Sequence, residues 1–317
     1  GSIRGAVGER ARIRRCAAVT SAAMTVTATP APDDVAMRPV DWALLAVPGT
    51  VWGASFYLIA LSLESLDPAF IGWARIVIGF TVLSLVPSAR RALPRSAWPR
   101  VASLSLVWMA VPLSLFAFAE ERVSSAVTGM LNGLNPVTVV VVGVVWFGTR
   151  LTAGRIVGLT VGTLGGVMIA LPTLGEGSSS VIGIVMIMAA LTCYGVAINV
   201  AGPLQREHGA LPVIRTALGG AALIATPTGL IGLTRSSAET SSIVALVVLG
   251  VFGTGVAYVF HLGNTGRLGA TRASTTTYLI PGVSIVLGVV FLDESVGLLA
   301  LAGSAVAVVG AWQVNRS

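Results

Sequence analysis

Beyond residue 41 the chain is a succession of apolar runs, each about 20 residues long, separated by short stretches that carry most of its charge. A run of that length, wound as a helix, crosses the roughly 30 Å of hydrocarbon in a bilayer. The pattern predicts ten spans, at residues 42–62, 68–87, 100–119, 124–147, 152–172, 181–201, 211–233, 242–263, 270–292 and 296–314. Within each run the apolar residues are continuous instead of alternating, and an open sheet edge in lipid leaves backbone groups unpaired, so strands are not expected. Residues 1–40 break the pattern. Arg4, Arg10, Arg12, Arg14 and Arg15 followed by Cys16-Ala17-Ala18-Val19 imitate a signal peptide, but Thr and Ser soon interrupt, and Thr29-Pro30-Ala31-Pro32-Asp33-Asp34 reads as disordered linker. Either Met24 or Met37 would serve as a start. The expected organisation is a disordered tail over 1–40 and two helical halves over 41–173 and 180–316.

Composition supports the lipid setting. Hydrophobic residues make up 55% of the chain and Gly a further 37 positions of 317, whereas a soluble domain holds about 45–50% with Gly counted. Charged residues are only 10%, against about 25% in soluble proteins. All 20 cationic residues are Arg, which excludes a Schiff-base lysine and a Walker-type phosphate loop. The net charge of +7 does not point to nucleic acid, because the arginines fall between apolar runs and not along one soluble face. Cationic loops stay on the cytoplasmic side. With the N-terminus inside, the inner segments hold Arg38, Arg90, Arg91, Arg95, Arg100, Arg150, Arg155, Arg206, Arg215, Arg267, Arg272 and Arg316, and the outer loops only Arg122 and Arg235. Both termini are therefore expected in the cytoplasm and the protein in the plasma (inner) membrane. Cys16 and Cys193 lie in different surroundings, so no disulfide framework, metal site or cofactor is expected.

The chain also repeats itself. An offset of 145 residues carries Pro136 onto Pro281, Val141 onto Val286, Gly143-Val144-Val145 onto Gly288-Val289-Val290, Gly158 onto Gly303, Val161 onto Val306, Gly165 onto Gly310 and Arg122 onto Arg267. Five spans per copy is an odd number, so the second copy enters the membrane from the opposite side. The fold class expected is an all-α integral membrane protein of ten transmembrane helices in two inverted five-helix repeats. That is the architecture of alternating-access transporters, whose site lies between the repeats near the midplane.

Trp52-Gly53-Ala54-Ser55-Phe56 in the first span, Pro68 with Phe70 and Arg75 in the second, Ser125-Ala126 through Leu134-Asn135-Pro136 to Val145-Trp146-Phe147-Gly148 in the fourth, and Leu279-Ile280-Pro281 through Phe291-Leu292-Asp293-Glu294 in the ninth resemble the drug/metabolite transporter superfamily, specifically its ten-helix EamA-type members. The likeness covers about residues 41–315. It implies a secondary transporter of small metabolites, with amino-acid-like exporters foremost. The family usually closes the fourth span with Gly-Glu. Here Gly148 is followed by Thr149, while Asp293-Glu294 keeps the acid in the second copy.

Candidate chemistry clusters at mid-span. Pro136 and Pro281 each remove a helical hydrogen bond, to the carbonyls of Asn132 and Thr277, and serve as gating hinges. Polar uncharged side chains surround them: Asn132 and Asn135 on one side, Thr275, Thr276, Thr277 and Tyr278 on the other. These either line a solute cavity or serve packing and bond their own backbone. Trp52, Ser55, Tyr57, Asn199 and Tyr258 complete the candidate substrate-binding set. Arg75 lies too deep for a loop charge; it either holds a substrate carboxylate or braces an outer gate against Glu64, Glu120 or Glu121. His261 is either an interfacial side chain or a proton carrier. Gly154, Gly158, Gly162 and Gly166 form a small-residue stripe for close helix approach, within the bundle or in a homodimer. The alternative classes are a membrane-embedded sensor or scaffold, or an intramembrane enzyme. Two histidines, no Lys and no paired intramembrane carboxylates supply no catalytic set.

Overall fold

A computed structural model describes residues 37–175 and 177–316; of the expected tail over 1–40, residues 1–36 lie outside the described residues, and Pro39 and Val40 belong to the first helix. Every regular element described is helical. In chain order these are α1 Pro39–Leu63, α2 Pro68–Leu85, α3 Arg95–Glu120, α4 Ser125–Asn132, α5 Asn135–Phe147, α6 Ala153–Leu174, α7 Ser178–His208, α8 Ala210–Leu233, α9 Thr240–Thr265, α10 Arg272–Phe291 and α11 Leu298–Arg316. Among the described residues, nine helices are long and apolar enough to cross a membrane, or up to ten if the bent pair α4–α5 counts as one span.

Local chemistry sets the ends. Pro39 and Pro68 open α1 and α2 at positions where their missing N–H groups cost nothing. Asp67 accepts the Ala69 N–H at 2.8 Å, Ser124 that of Val127 at 3.3 Å and Thr152 that of Arg155 at 3.2 Å. At the far end of α5, Gly148 takes the left-handed conformation (φ 67°) that stops the helix.

The repeat is visible in the packing. Helix α1 starts beside Arg267, which pairs with Asp41 at 3.1 Å; its counterpart α7 starts at the opposite face, beside Arg122 and Val123. The last helices of the halves, α6 and α11, pack on each other through glycine. A Cβ on Gly158 would stand 2.9 Å from the Gly310 carbonyl, and one on Gly165 would stand 2.7 Å from that of Gly303. Under the 145-residue offset each of these contacts is the image of the other. Gly162 and Gly166 are buried against Val137 and Leu134 of the same chain. Gly158, Gly162 and Gly166 of the stripe are thus used inside the bundle, the first of the two roles expected for it.

The proline sites differ from simple kinks. Before Pro136 the span breaks outright at Gly133-Leu134, and α4 and α5 meet at 47°. Before Pro281 the chain stays continuous by tightening into a 3-10 turn over Thr275–Tyr278. The two sites touch, for a Cβ on Gly133 would lie 2.7 Å from the Pro281 ring. Helices α3 and α9 each loosen into a π-helical stretch, at Ser105–Ala110 and Leu249–Val256. The offset places the first of these on residues 250–255, inside the second.

Candidate functional site

Between the halves lies a cavity of about 500 Å³, within the range usual for small-molecule sites. It extends from Ile59, Arg75, Leu113 and Phe116 in the interior to Gln205, Thr265, Ser274 and Asn315, near the ends of α7, α9, α10 and α11. Those ends lie on the Arg-rich face. The π stretches supply part of the wall, through Trp108 of α3 and Gly253 and Thr254 of α9. Such bulges widen the helix and redirect its carbonyls: the Trp52 indole N–H donates to the Gly253 carbonyl at 3.1 Å. Trp52 in turn packs against Tyr258 and His261, with ring centroids 5.7 and 5.0 Å apart, and Trp108 packs edge-on to Tyr258.

Trp52, Ser55, Asn132, Asn135, Tyr258 and Thr277, all anticipated, line this cavity, together with Arg75, Pro136 and His261. Arg75 is 4% exposed and its Nε donates to the Thr254 hydroxyl at 3.3 Å; among the described residues it has no acid within 4 Å. The Asn135 Oδ1 and His261 Nδ1 atoms are buried without a hydrogen-bond partner. Five expected lining residues lie off the wall. Tyr57 faces Phe291 (centroids 5.9 Å), because 52, 55, 56 and 59 form one helical face and 57 falls on another. Asn199 donates to the carbonyls of Val139 and Gly195. Thr275 bonds the Arg272 carbonyl of its own helix, and Thr276 reaches across to the Leu45 carbonyl at 3.0 Å. Tyr278 accepts from Asn315 at 2.7 Å and packs α10 on α11. Pro281 lies against Gly133, not on the wall.

Sequence reasoning missed Trp108, Tyr194 and Gln205 on the wall. Trp108 sits in the middle of the expected 100–119 span, and an amphipathic ring at that depth was the signal that could have found it. At the face opposite the Arg-rich one, the halves are joined. Glu294 accepts the N–H groups of Ser125 and Ala126 at 2.7 and 2.8 Å, so its carboxylate caps α4. The Ser242 hydroxyl donates to the Leu61 carbonyl at 2.8 Å, and the Ser237 and Glu239 N–H groups donate to Ser65. Among the described residues, no three His, Cys, Asp or Glu side chains converge as metal ligands.

The comparisons with known proteins agree with this architecture. An uncharacterized transporter of Archaeoglobus fulgidus is 24% identical over 275 residues, spanning 87% of this chain and 98% of its own length. A probable terminal-alkyne amino-acid exporter of Streptantibioticus cattleyicolor is 25% identical over 280 residues, 87% of this chain and 93% of its own. A solved crystal structure shares the fold with a TM-score of 0.60 at 19% identity, over 87% of this chain and 96% of its own. The profile of the EamA-like transporter family matches residues 42–171 and again 181–316. With both halves matched and a solute-sized cavity between them, this multi-pass membrane protein belongs to the EamA-like transporter family.

Proposed function

We propose that this transporter exports a small amphipathic, amino-acid-like metabolite by alternating access. The observation that carries the reading is the cavity wall: one buried guanidinium at the closed end, two amides at mid-depth, and the aromatic faces of Trp52, Trp108 and Tyr258. Arg75 suits a carboxylate. Asn132 and Asn135 offer donors and acceptors in place of a solute's water shell, and the aromatic faces accept an apolar side chain. A relative of similar length is named as an amino-acid exporter, which supports the class. The positive-inside rule assigns the Arg-rich face to the cytoplasm, with both termini there and the protein in the plasma membrane. The cavity then faces inward. The break before Pro136 and the 3-10 turn before Pro281 provide bend points for the exchange of states.

The test is uptake and efflux by the purified protein in liposomes, against a panel of amino acids and related metabolites. Asn132→Leu and Asn135→Leu should each lower transport by at least about tenfold, the loss of one or two net hydrogen bonds, while the protein still inserts. Wild-type rates in both variants would reduce these amides to packing groups. Absence of transport for every amino-acid-like solute would refute the substrate class.

A further inference from the structure

Glu120 is half-buried with its carboxyl group inside, an acid for which solute binding has no use. It closes the last turn of α3, both carboxyl oxygens are buried, and neither meets a hydrogen-bond donor. The Ser125 hydroxyl just beyond is in the same condition. The second acid on this face is differently placed, since both oxygens of Glu294 are taken by the helix N–H groups of Ser125 and Ala126.

The charged groups that face Glu120 are Glu294, from the segment after α10, and Arg75, from α2. On its own turn, Glu121 and Arg122 pair with each other at 3.0 Å. Tyr194 of α7 and Tyr258 of α9 face Arg75 from the cavity side. Glu120 itself is not on the cavity wall. The two charges that act on it are thus Arg75, which is on the wall, and Glu294, which joins the halves at the face opposite the Arg-rich one. A carboxyl group buried without a protein donor needs a counter-ion or a proton, and an ionisable group within a span is a candidate for function.

We propose that Glu120 is the coupling-proton site of the transporter. This rests on the alternating-access reading above. When the Glu294 contact opens, Glu120 is reached from the outer face and takes a proton, forming one O–H bond as one O–H bond of hydronium breaks. When the contact re-forms, the proton leaves to water of the inward cavity past Arg75, and no electrons move. A metal cation suits the place poorly, because it requires about six oxygens and both of Glu294's are committed to N–H groups. His261 is the competing titratable group. It lies on the wall of the cavity itself, among the groups that the solute would meet.

Two measurements on the full-length protein test the assignment. Dicyclohexylcarbodiimide, an apolar reagent that adds to protonated carboxyls, should label Glu120 and spare Glu294, with labelling that falls as pH rises. Peptide mass spectrometry reads this whether or not any solute is moved, so it stands apart from the export reading. Label confined to Glu294, pH-independent label, or no label at Glu120 overturns the proposal. In liposomes, an imposed pH gradient should accelerate transport of whichever panel solute is active, and Glu120→Gln should abolish that acceleration whatever its basal rate. Where Glu120→Gln inserts poorly, Glu120→Asp serves, with a weakened gradient response expected. An undiminished response in the variant, a response lost in His261→Gln but kept in Glu120→Gln, or stimulation by a sodium gradient at equal pH would each overturn it.

Discussion

Thr149 and Glu294 occupy the same place in the two repeats, and the chain treats them alike up to the side chain. Each follows the helix that carries a repeat's proline, and each turns its N–H back to a glycine carbonyl, Thr149 to Gly143 at 2.9 Å and Glu294 to Gly288 at 3.1 Å. At Glu294 a carboxylate then reaches across the interface and caps α4. At Thr149 there is only a hydroxyl, and the chain entering α10 starts from Gly269 (φ 85°) with no side-chain cap. The face with the acid is joined and the face without it is where the cavity emerges. Two charge-assisted bonds to a helix N-terminus contribute about 2 kcal/mol, so this one side chain, out of register with the symmetry, is expected to favour closure of the face that carries it.

The largest expected effect follows from removing the acid. Glu294→Gln loses the charge and turns one acceptor into a donor, so the joined face should open in a fraction of molecules about thirtyfold larger, the equivalent of about 2 kcal/mol. Spin labels at Glu121 and Ser295, both exposed on that face, would report a second, longer distance. A distribution identical to the parent protein's would show that the other contacts of this face hold it without Glu294.

A paired glycine substitution asks whether the carboxylate needs its seat. A Cβ on Gly288 would collide with the Glu294 carboxylate and stand 3.1 Å from the Ala126 Cβ, whereas one on Gly143 meets only the Thr149 hydroxyl at 3.0 Å and the Asn199 amide at 3.3 Å. Gly288→Ala should therefore shift the same label distances by about tenfold in population, and Gly143→Ala should leave them unchanged. Equal effects would deny the asymmetry.

The prolines differ between the repeats in the same way and give a smaller effect. Pro136→Ala restores an N–H where the helix is broken by 47°, while Pro281→Ala restores one where a 3-10 turn already bridges the site. Turnover should fall more in the first, by about fivefold, equivalent to about 1 kcal/mol. Equal rates in both variants would remove the pivot role from the break.

Much of this comparison was legible before any coordinates. Continuous apolar runs and an ungapped offset of 145 residues are properties of the chain itself, so the spans, the repeats and the odd acid at 294 could be read directly. The mid-span amides and Trp52 were legible as well, because polar or amphipathic residues in hydrocarbon need a reason. What failed depended on helical phase or on distant partners. Tyr57 is next to a wall position, Phe56, yet rotated off the wall. The hydroxyls of Thr275 and Thr276 are spent on carbonyls, one local and one on α1. The π stretches that bring Trp108 and Gly253 to the wall have no signature in composition. Glu294 meets its partners across 168 and 169 residues, a pairing that periodicity does not reveal, and Glu120 falls just past the expected 100–119 span, where it enters only as a brace for Arg75.

The smallest effect is also the most direct trial of the comparison, because it adds what the first repeat lacks. Thr149→Glu places a carboxylate at the image of Glu294, and by the offset its partners would be the backbone N–H groups of residues 270 and 271, the images of Ser125 and Ala126. Those groups lie at the face where the cavity emerges, so the new contact forms only when that face closes, and water screens it until then. The gain should be correspondingly smaller, about 0.7 kcal/mol, or about threefold in population. Labels at Arg150 and Arg206, both exposed on that face, should shift toward a shorter distance in Thr149→Glu and not in Thr149→Gln, which adds bulk without charge. Combined with Glu294→Gln, the substitution moves the carboxylate from one face to the other, and the two shifts should add, since the sites are far apart and share no partner. If Thr149→Glu alone shortens nothing while Glu294→Gln still opens its own face, the repeats are related in fold but not in the way they close, and the bias toward one open face must come from α1, which Arg267, Asn264 and Thr276 tie to the second half at the Arg-rich side.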